Sequence, residues 1–261
     1  MQKKILALLI AITLHASVIM SQELDSLPSK VYNLKSLNET KKDPQTTVPV
    51  MEGSTTSLSR FEVHSTTIKP GLVSHTRHAP ADMEELIIVK DGKVKVTIKG
   101  NTKILGRGSI AFFMPGEEHS VENADNSPAT FYVLEYKSKL PADLDRAKQK
   151  GGSFMLDWNE VAFNKTEKGG RKGFFNRSTS QLEKFEMHTT ALNPGLESHA
   201  PHIHKEEEII LMLRGNVKIH IAGQLYPAEP GDVIFYSSGV PHALINTGKE
   251  QAEYFAFQWS N

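Results

Sequence analysis

No cysteine occurs among the 261 residues of the chain. The protein therefore has no disulfide, no thiol nucleophile and no thiolate metal ligand. An excess of charge of one sign is missing as well, because 30 Lys and Arg residues balance 30 Asp and Glu residues. Nucleic-acid-binding proteins normally carry a basic excess, so this balance argues against that class.

Long apolar runs are also absent, apart from one at the start of the chain. Lys3 and Lys4 precede an almost wholly apolar stretch from Ile5 to Met20. A short positive region followed by an apolar run of this length is typical of a secretory signal peptide rather than of a transmembrane span. We predict a signal peptide over residues 1–21 and an exported protein, periplasmic or extracellular, with no membrane association after its removal. A retained membrane anchor is the alternative, and the lack of cysteine excludes a lipoprotein signal.

The same pattern of residues occurs twice along the chain. The segment LSRFEVHSTTIKPG at 58–71 is matched by LEKFEMHTTALNPG at 182–195, and EELIIVKDGKVKV at 84–96 is matched by EEIILMLRGNVKI at 207–219. The matches keep their order, and their spacing is 124 residues in the first case and 123 in the second. The chain is therefore a tandem duplication of a unit of about 120 residues.

Each unit is predicted to consist of short β-strands. In the segment VKIHI, Val217, Ile219 and Ile221 alternate with polar residues, which is the period of a half-buried strand. Gly and Pro residues separate such segments at regular intervals, as is typical of a sandwich or a barrel. Helix is scarce, and the best candidate, PADLDRAKQK at 141–150, links the two units.

The duplication predicts a division of the chain into five segments. These are the signal peptide at 1–21, an N-terminal arm at 22–49, a first barrel at 50–138, a linker with the first strand of the second repeat at 139–176, and a second barrel at 177–261.

Four residues of the second repeat predict a metal site. His202 and His204 are two apart, so on a strand both imidazoles point to the same face. Glu208 lies an even number of residues after each of them, six after His202 and four after His204, and His242 follows far downstream. Three imidazoles and a carboxylate suit Mn, Fe, Co, Ni or Zn, and they leave positions open on an ion that prefers six ligands.

The alternative is a polar rim that binds no ion. Lys205, Glu206 and Glu207 are expected to form such a solvated charge run beside the site. His188 and His199 are expected to be structural or rim residues rather than ligands.

These residues resemble the two sequence motifs of the cupin superfamily. The first motif is filled by Gly195, His202, His204, Glu208 and Gly215. The second is filled by Gly231, Gly239, His242 and Asn246, with Ser237 where proline is usual. The resemblance covers about residues 50–260.

The resemblance implies an all-β fold of two tandem double-stranded β-helix barrels of the jelly-roll type, a bicupin, joined by a short linking helix. It also implies that His202, His204, Glu208 and His242 hold one divalent transition metal. Manganese is the expected ion, with iron, nickel or zinc as alternatives.

The first repeat departs from the motif. His78, Glu85 and His119 stand at the positions of His202, Glu208 and His242, but Pro80 replaces the second histidine of the pair. Proline has no side-chain donor atom, so at most three ligands remain. We predict a vestigial site formed by His78, Glu85 and His119.

The two barrels and the single complete ligand set also resemble the (S)-ureidoglycine aminohydrolase family. Those manganese enzymes hydrolyse ureidoglycine to ureidoglycolate and ammonia. In that family Glu replaces the first histidine of the pair, a histidine stands at the position of Glu208, and Gln stands at the position of His242. This chain keeps the usual cupin ligand set instead.

The resemblance implies a metal-dependent enzyme that acts on a small molecule with a carboxylate or carbonyl group, by hydrolase or isomerase chemistry. A dioxygenase, a uronate-linearising sugar enzyme and a non-catalytic, metal-dependent binding protein are the alternatives. The expected partner is a small molecule, and the chain is expected to be a monomer or a homodimer. The candidates for an acid or base are Tyr236, Gln258, Lys218, Tyr226 and Arg177.

Overall fold

The structure is a computed structural model that describes residues 24–42, 45–75 and 81–261. The predicted signal peptide at 1–21 lies outside the described residues. Within them, strands dominate, and none of the described helical segments is long and apolar enough to cross a bilayer.

The N-terminal repeat contains eleven of the described strands. They are β1 (Lys30–Tyr32), β2 (Thr40–Lys42), β3 (Gln45–Gly53), β4 (Leu58–Ile68), β5 (Val73–His75), β6 (Glu84–Asp91), β7 (Val94–Ile98), β8 (Asn101–Leu105), β9 (Ile110–Phe113), β10 (His119–Asn123) and β11 (Ala129–Ser138).

The helix α1 (Leu144–Gln149) and ten further strands follow. The strands are β12 (Phe154–Leu156), β13 (Phe163–Thr166), β14 (Gly169–Arg177), β15 (Lys184–Leu192), β16 (Glu207–Arg214), β17 (Val217–Ile221), β18 (Gln224–Ala228), β19 (Val233–Tyr236), β20 (His242–Asn246) and β21 (Ala252–Ser260). Short 3-10 turns lie at Leu34–Ser36 and Trp158–Glu160.

The linking helix forms where its sequence predicts. Asp143 caps its first turn, because the Asp143 side chain accepts a hydrogen bond from the Arg146 backbone N–H at 2.8 Å. After the helix the chain turns at Gly151, which has a φ of +103°. The predicted helix at 141–150 is confirmed, with its regular part at Leu144–Gln149.

Each repeat folds into one seven-stranded and one smaller sheet. In the N-terminal repeat the strand orders are β12-β9-β6-β11-β4-β3-β2 and β5-β10-β7-β8. In the C-terminal repeat they are β1-β19-β16-β21-β15-β14-β13 and β18-β17-β20. The predicted fold, two tandem jelly-roll barrels with a short linking helix, is confirmed.

The two repeats exchange their first strands. Strand β1 pairs with β19 of the C-terminal barrel, and β12 pairs with β9 of the N-terminal barrel. These arm strands lie in the segments predicted as an N-terminal arm and as a linker. The backbone N–H of Ser237 donates to Ser29 Oγ at 2.8 Å, and that of Met114 donates to Ser153 Oγ at 2.8 Å. Ser237 stands where the motif usually has proline, which has no N–H to donate.

Three apolar clusters hold this arrangement together. One fills each barrel, and the third, which is the largest, lies between the two seven-stranded sheets. Strand β21 shows how one strand serves two clusters. Phe255, Phe257 and Trp259 belong to the cluster between the barrels, whereas Tyr254 and Ala256 belong to the interior of the C-terminal barrel. Alternating residues of a strand point to opposite faces, so the interior of this barrel receives the even-numbered residues.

The last glycine of the first motif is required by both conformation and space. Gly215 has a φ of +80°, and a Cβ atom there would lie 2.8 Å from the Cα of Ala252. Gly223 has a similar φ of +86°, but such an atom would meet nothing within 4 Å. Comparing substitutions at the two glycines therefore distinguishes the cost of backbone strain from the cost of steric overlap.

We expect Gly223→Ala to lower the free energy of unfolding by about 1 kcal/mol, through backbone strain alone. Gly215→Ala is expected to cost about 3 kcal/mol, since the Ala252 backbone must also move. Urea unfolding of the two variants measures the difference, and equal losses would contradict this explanation of Gly215.

Candidate metal centre

Three predicted ligands converge in the C-terminal barrel. One ring nitrogen from each of His202, His204 and His242 lies within 4.8 Å of the corresponding atoms of the other two. His242 is buried at the start of β20, His204 is half-buried, and His202 is exposed at the rim. The backbones of His202 and His242 exchange two hydrogen bonds, of 3.2 and 3.1 Å. The two motifs are therefore joined directly, although His202 is not part of a regular strand.

Backbone carbonyls orient two of the imidazoles. Nδ1 of His204 lies 2.9 Å from the Glu206 carbonyl oxygen, and Nδ1 of His242 lies 2.8 Å from that of Val240. A carbonyl oxygen only accepts, so both Nδ1 atoms carry a proton and donate. In the neutral form of either ring, Nε2 then carries the lone pair that a metal ligand requires. The adjacent Glu208 carboxylate raises the pKa of His204, so a cation at Nε2 is favoured there, whether a proton or a metal ion.

The fourth predicted ligand, Glu208, lies against this cluster. Its Oε2 is 3.1 Å from His204 Nε2 and 3.3 Å from His242 Nε2, and it accepts a hydrogen bond of 2.9 Å from Gln258 Nε2. Burial acts to raise the pKa of Glu208, but the close imidazoles of His204 and His242 outweigh it and lower the pKa to about 2. Glu208 is therefore an ionised carboxylate inside the barrel.

The donor set fits a cation. Nε2 of His242 is buried and makes no hydrogen bond within the described part of the chain, yet it faces the ionised Glu208. A lone pair against a carboxylate oxygen is unfavourable unless a proton or a metal ion lies between them. Burial and the neighbouring imidazoles also lower the pKa of His202, which favours the neutral ring that binds metals.

A cavity of about 580 Å³ opens beside these residues. Its volume is in the range of small-molecule sites. The cavity is lined by His202, Glu208, His242, Tyr236, Tyr254 and His188, among others. Tyr236 stacks on His242 with ring centroids 4.4 Å apart, and its buried hydroxyl makes no hydrogen bond to the residues that the structure describes.

Sheet register aligns several of the cavity residues. Glu186 on β15 is opposite Gln258 on β21, Gln258 is opposite Glu208 on β16, and Glu208 is opposite Tyr236 on β19. In the next row, His188 is opposite Ala256. Because alanine is small, it leaves space between His188 and the cluster of predicted ligands.

A second charged group, which the sequence argument missed, consists of His188, Glu186 and Arg171, and two of its members, His188 and Arg171, line the same cavity. Nδ1 of His188 lies 2.9 Å from Glu186 Oε1, and Nη2 of Arg171 donates to the same oxygen at 2.6 Å. Burial acts to raise the pKa of Glu186, but the contacts with His188 and Arg171 lower it overall. Glu186 therefore stays ionised and accepts the proton of His188 Nδ1, which leaves Nε2 as the ring nitrogen that Glu186 does not engage. One signal was available in the sequence, since the Glu-x-His pair occurs in both repeats, at Glu62–His64 and at Glu186–His188.

The corresponding site of the N-terminal barrel differs in charge. Glu85 is buried, and its Oε2 is 3.6 Å from His119 Nε2, while His78 lies outside the described residues. Burial and the nearby Glu135 carboxylate raise the pKa of Glu85 to about 8. The pKa values of the equivalent carboxyl groups, Glu85 and Glu208, are thus shifted in opposite directions. The vestigial site of His78, Glu85 and His119 stays a prediction.

The N-terminal barrel also has bulkier or less polar side chains at the equivalent positions. Phe113, Phe131 and Val133 belong to its interior cluster. In the C-terminal barrel the corresponding residues are Tyr236, Tyr254 and Ala256. These exchanges add two hydroxyl groups and remove volume where the cavity lies.

Three candidates for the acid or base lie elsewhere. Lys218 and Tyr226 are exposed on the three-stranded sheet. Arg177 donates to the carbonyl oxygens of Lys150 and Gly152 at 2.8 and 2.7 Å, and it stacks over Phe154. Of the five candidates, Tyr236 and Gln258 line the cavity.

The expectation of a solvated charge run is wrong for Glu207. Lys205 is exposed, and Glu206 is half-buried and pairs with Lys184 at 2.9 Å. Glu207, however, is only 2% exposed, because it begins β16 on the face that points into the interface between the barrels. The sequence run KEEE does not reveal this, since the face of each residue depends on where the strand begins.

The comparisons with known proteins agree with the fold. Residues 64–135 and 188–257 match the family described as Cupin domain. Among curated proteins, (S)-ureidoglycine aminohydrolase of Arabidopsis thaliana is 26% identical over 180 residues, which cover 69% of this chain and 58% of that protein. The match therefore spans less than two thirds of the relative's length.

Solved structures show the same architecture at low identity. The protein Ylba from E. coli has a TM-score of 0.70 at 14% identity, covering 94% of this chain and 95% of that one. An oxalate decarboxylase of Bacillus subtilis with Mn(II) centres has a TM-score of 0.66 at 14% identity, covering 88% of this chain and 77% of that one. At these identities the likeness shows the fold alone.

Proposed function

Because this chain belongs to the cupin family and carries its domain twice, we propose that it is a metal-dependent enzyme acting on a small molecule that bears a carboxylate or carbonyl group. The observation that carries the proposal is the buried, ionised Glu208 facing the unpaired Nε2 of His242. This arrangement opens into a cavity large enough for a small substrate.

His202, His204, Glu208 and His242 would hold one divalent ion, with manganese as the expected metal. Such an ion supplies a Lewis acid that polarises a substrate carbonyl or carboxylate oxygen. The chain's own residues exclude water and orient the substrate. The barrel interior excludes bulk water from one side of the substrate, and the Tyr236 hydroxyl, which has no hydrogen-bond partner within the described residues, is available to orient it.

We assign proton transfer to His188. Its Nδ1 proton is held by Glu186, which leaves Nε2 to accept a proton from a substrate or a water molecule and to return it later. Glu186 fixes the tautomer and stabilises the protonated ring, and Arg171 holds Glu186 in place. Proton abstraction or activation of water by His188 serves hydrolase and isomerase chemistry alike.

The likeness to an aminohydrolase favours hydrolysis of a small nitrogen-containing acid. The ligand set distinguishes this chain from that family as described above, so the proposal concerns the reaction class and not ureidoglycine itself. A dioxygenase, a uronate-linearising enzyme and a metal-dependent binding protein are the competing outcomes of the test.

The experiment starts from metal analysis of the purified chain, followed by Mn²⁺ loading. A panel of small hydroxy, oxo, ureido and uronic acids is then assayed for ammonia release, oxygen uptake and isomerisation. Ammonia release or isomerisation without oxygen uptake supports the proposal. Oxygen uptake identifies a dioxygenase instead. Stoichiometric metal without any turnover identifies a binding protein.

We further propose that the chain is exported and acts as a monomer or a homodimer. The support for export is the pattern of residues 1–21, which lie outside the described part of the structure. Detection of the mature N-terminus in a periplasmic or extracellular fraction tests it.

A further inference from the structure

A buried carboxylate next to the metal centre is bound by the other repeat. Glu207 accepts hydrogen bonds from Thr55 Oγ1 at 2.8 Å, from the Thr56 N–H at 2.8 Å, and from the N–H and hydroxyl of Ser57. The Trp259 indole N–H donates to it as well, at 3.1 Å. Residues 55–57 precede β4 of the N-terminal repeat, so this contact crosses between the barrels.

Glu207 and the predicted ligand Glu208 are joined by one peptide bond at the start of β16. Their side chains point to opposite faces of the strand, one into the interface and the other into the cavity. Strand β21, which pairs with β16, repeats this arrangement. Trp259 donates to Glu207, while its neighbour Gln258 donates to Glu208 at 2.9 Å. Fixing Glu207 therefore fixes the backbone from which Glu208 extends.

The duplication supplies an equivalent contact in the opposite direction. Glu84 accepts hydrogen bonds from Thr179 Oγ1 at 2.6 Å and from the N–H and hydroxyl of Ser180, both at 2.7 Å. Its neighbour Glu85 belongs to the barrel whose ligand set is interrupted by Pro80. The two contacts are alike in chemistry, but only one of them adjoins a complete set of predicted ligands.

We propose that the N-terminal repeat positions the metal centre of the C-terminal barrel, with Thr55 and Ser57 acting through Glu207 as positioning residues for Glu208. This inference rests on the proposed metal site, and it gives the repeat with the interrupted motif a direct part in the function. Outer partners that orient a metal ligand change metal affinity by about 10- to 100-fold when removed.

The test measures Mn²⁺ affinity of the full-length chain by calorimetry. The variant Thr55→Val/Ser57→Ala loses two hydroxyl donors to Glu207, and the matched variant Thr179→Val/Ser180→Ala loses two donors to Glu84. We expect both to unfold at lower temperature, because both leave a buried carboxylate with fewer donors. Only the first is expected to bind Mn²⁺ more weakly, by about 10-fold or more.

The conservative variant Thr55→Ser keeps the hydroxyl and is expected to bind Mn²⁺ as the wild type does. It is also the variant to use, together with Ser57→Ala alone, if the double variant does not fold. Equal Mn²⁺ affinity of the wild type and the Thr55→Val/Ser57→Ala variant (or Ser57→Ala, where the double variant does not fold) overturns the proposal, as does an equal loss of affinity in the Thr179→Val/Ser180→Ala variant. A wild type that takes up no Mn²⁺ refutes the metal centre itself, and this inference with it.

Discussion

Replacing His242 with alanine is expected to remove the bound metal, lowering Mn²⁺ affinity by more than about 100-fold, since the loss of a direct ligand exceeds the 10- to 100-fold effect of outer partners. His242 is the most buried of the three imidazoles, and its Nε2 has no other partner within the described chain. Metal content after dialysis and calorimetric titration with Mn²⁺ measure the effect.

The duplication provides the control for this variant. His119 occupies the equivalent position in the N-terminal repeat and also stacks on an aromatic ring, that of Phe113, at 3.8 Å. We expect His119→Ala to leave the affinity of the C-terminal site for Mn²⁺ unchanged. If His119→Ala lost the metal and His242→Ala retained it, the ion would lie in the N-terminal barrel, which would contradict the assignment.

Replacing His188 with glutamine is expected to lower kcat by about 100- to 10,000-fold, which is the usual contribution of a positioned acid or base. The reason is that glutamine fills a similar volume but cannot take up a proton. The bound Mn²⁺ should be unchanged, because His188 contacts Glu186 and is not one of the four predicted ligands. Turnover of an accepted compound and metal content are measured on the same preparation.

His64 is the matched residue for this second variant. It contacts Glu62 at 3.1 Å in the N-terminal barrel, as His188 contacts Glu186. We expect His64→Gln to keep full activity. If both histidine variants lose activity equally, or if His188→Gln loses its metal, the pair is a structural feature of each barrel and not a proton-transfer device.

Much of the candidate centre was accessible from the sequence because its ligands are set by local spacing. His202 and His204 precede β16 by a few residues, and Glu208 follows at its start, so the first motif places three groups together by itself. Local spacing does not place His242 beside the other three residues. Its assignment as a ligand came from the second motif, through the family resemblance. The structure brings the ring nitrogens of the three histidines within 4.8 Å of one another, and Glu208 contacts His204 and His242.

Features that depend on pairing between distant segments could not be predicted from the sequence. The exchange of β1 and β12 leaves no pattern in either segment, since a three-residue strand matches many partners. Glu207 looked like a solvated residue because burial here is created by Thr55 to Ser57, about 150 residues earlier in the chain. The sequence predicts His188 to be a structural or rim residue, and the role that we propose for it depends on Glu186, Arg171 and the small Ala256 around it.

The exchange of β1 and β12 between the two repeats also affects how the molecule unfolds. Strands β9 and β19 would be open edges if each barrel stood alone, and an open edge invites pairing with other chains. Here each edge is completed by a segment from the other half, so neither barrel reaches its native sheet before both have formed. We therefore expect a single cooperative unfolding transition for both halves. Cleavage in the helix between them should yield fragments that stay associated, while either fragment prepared separately should aggregate.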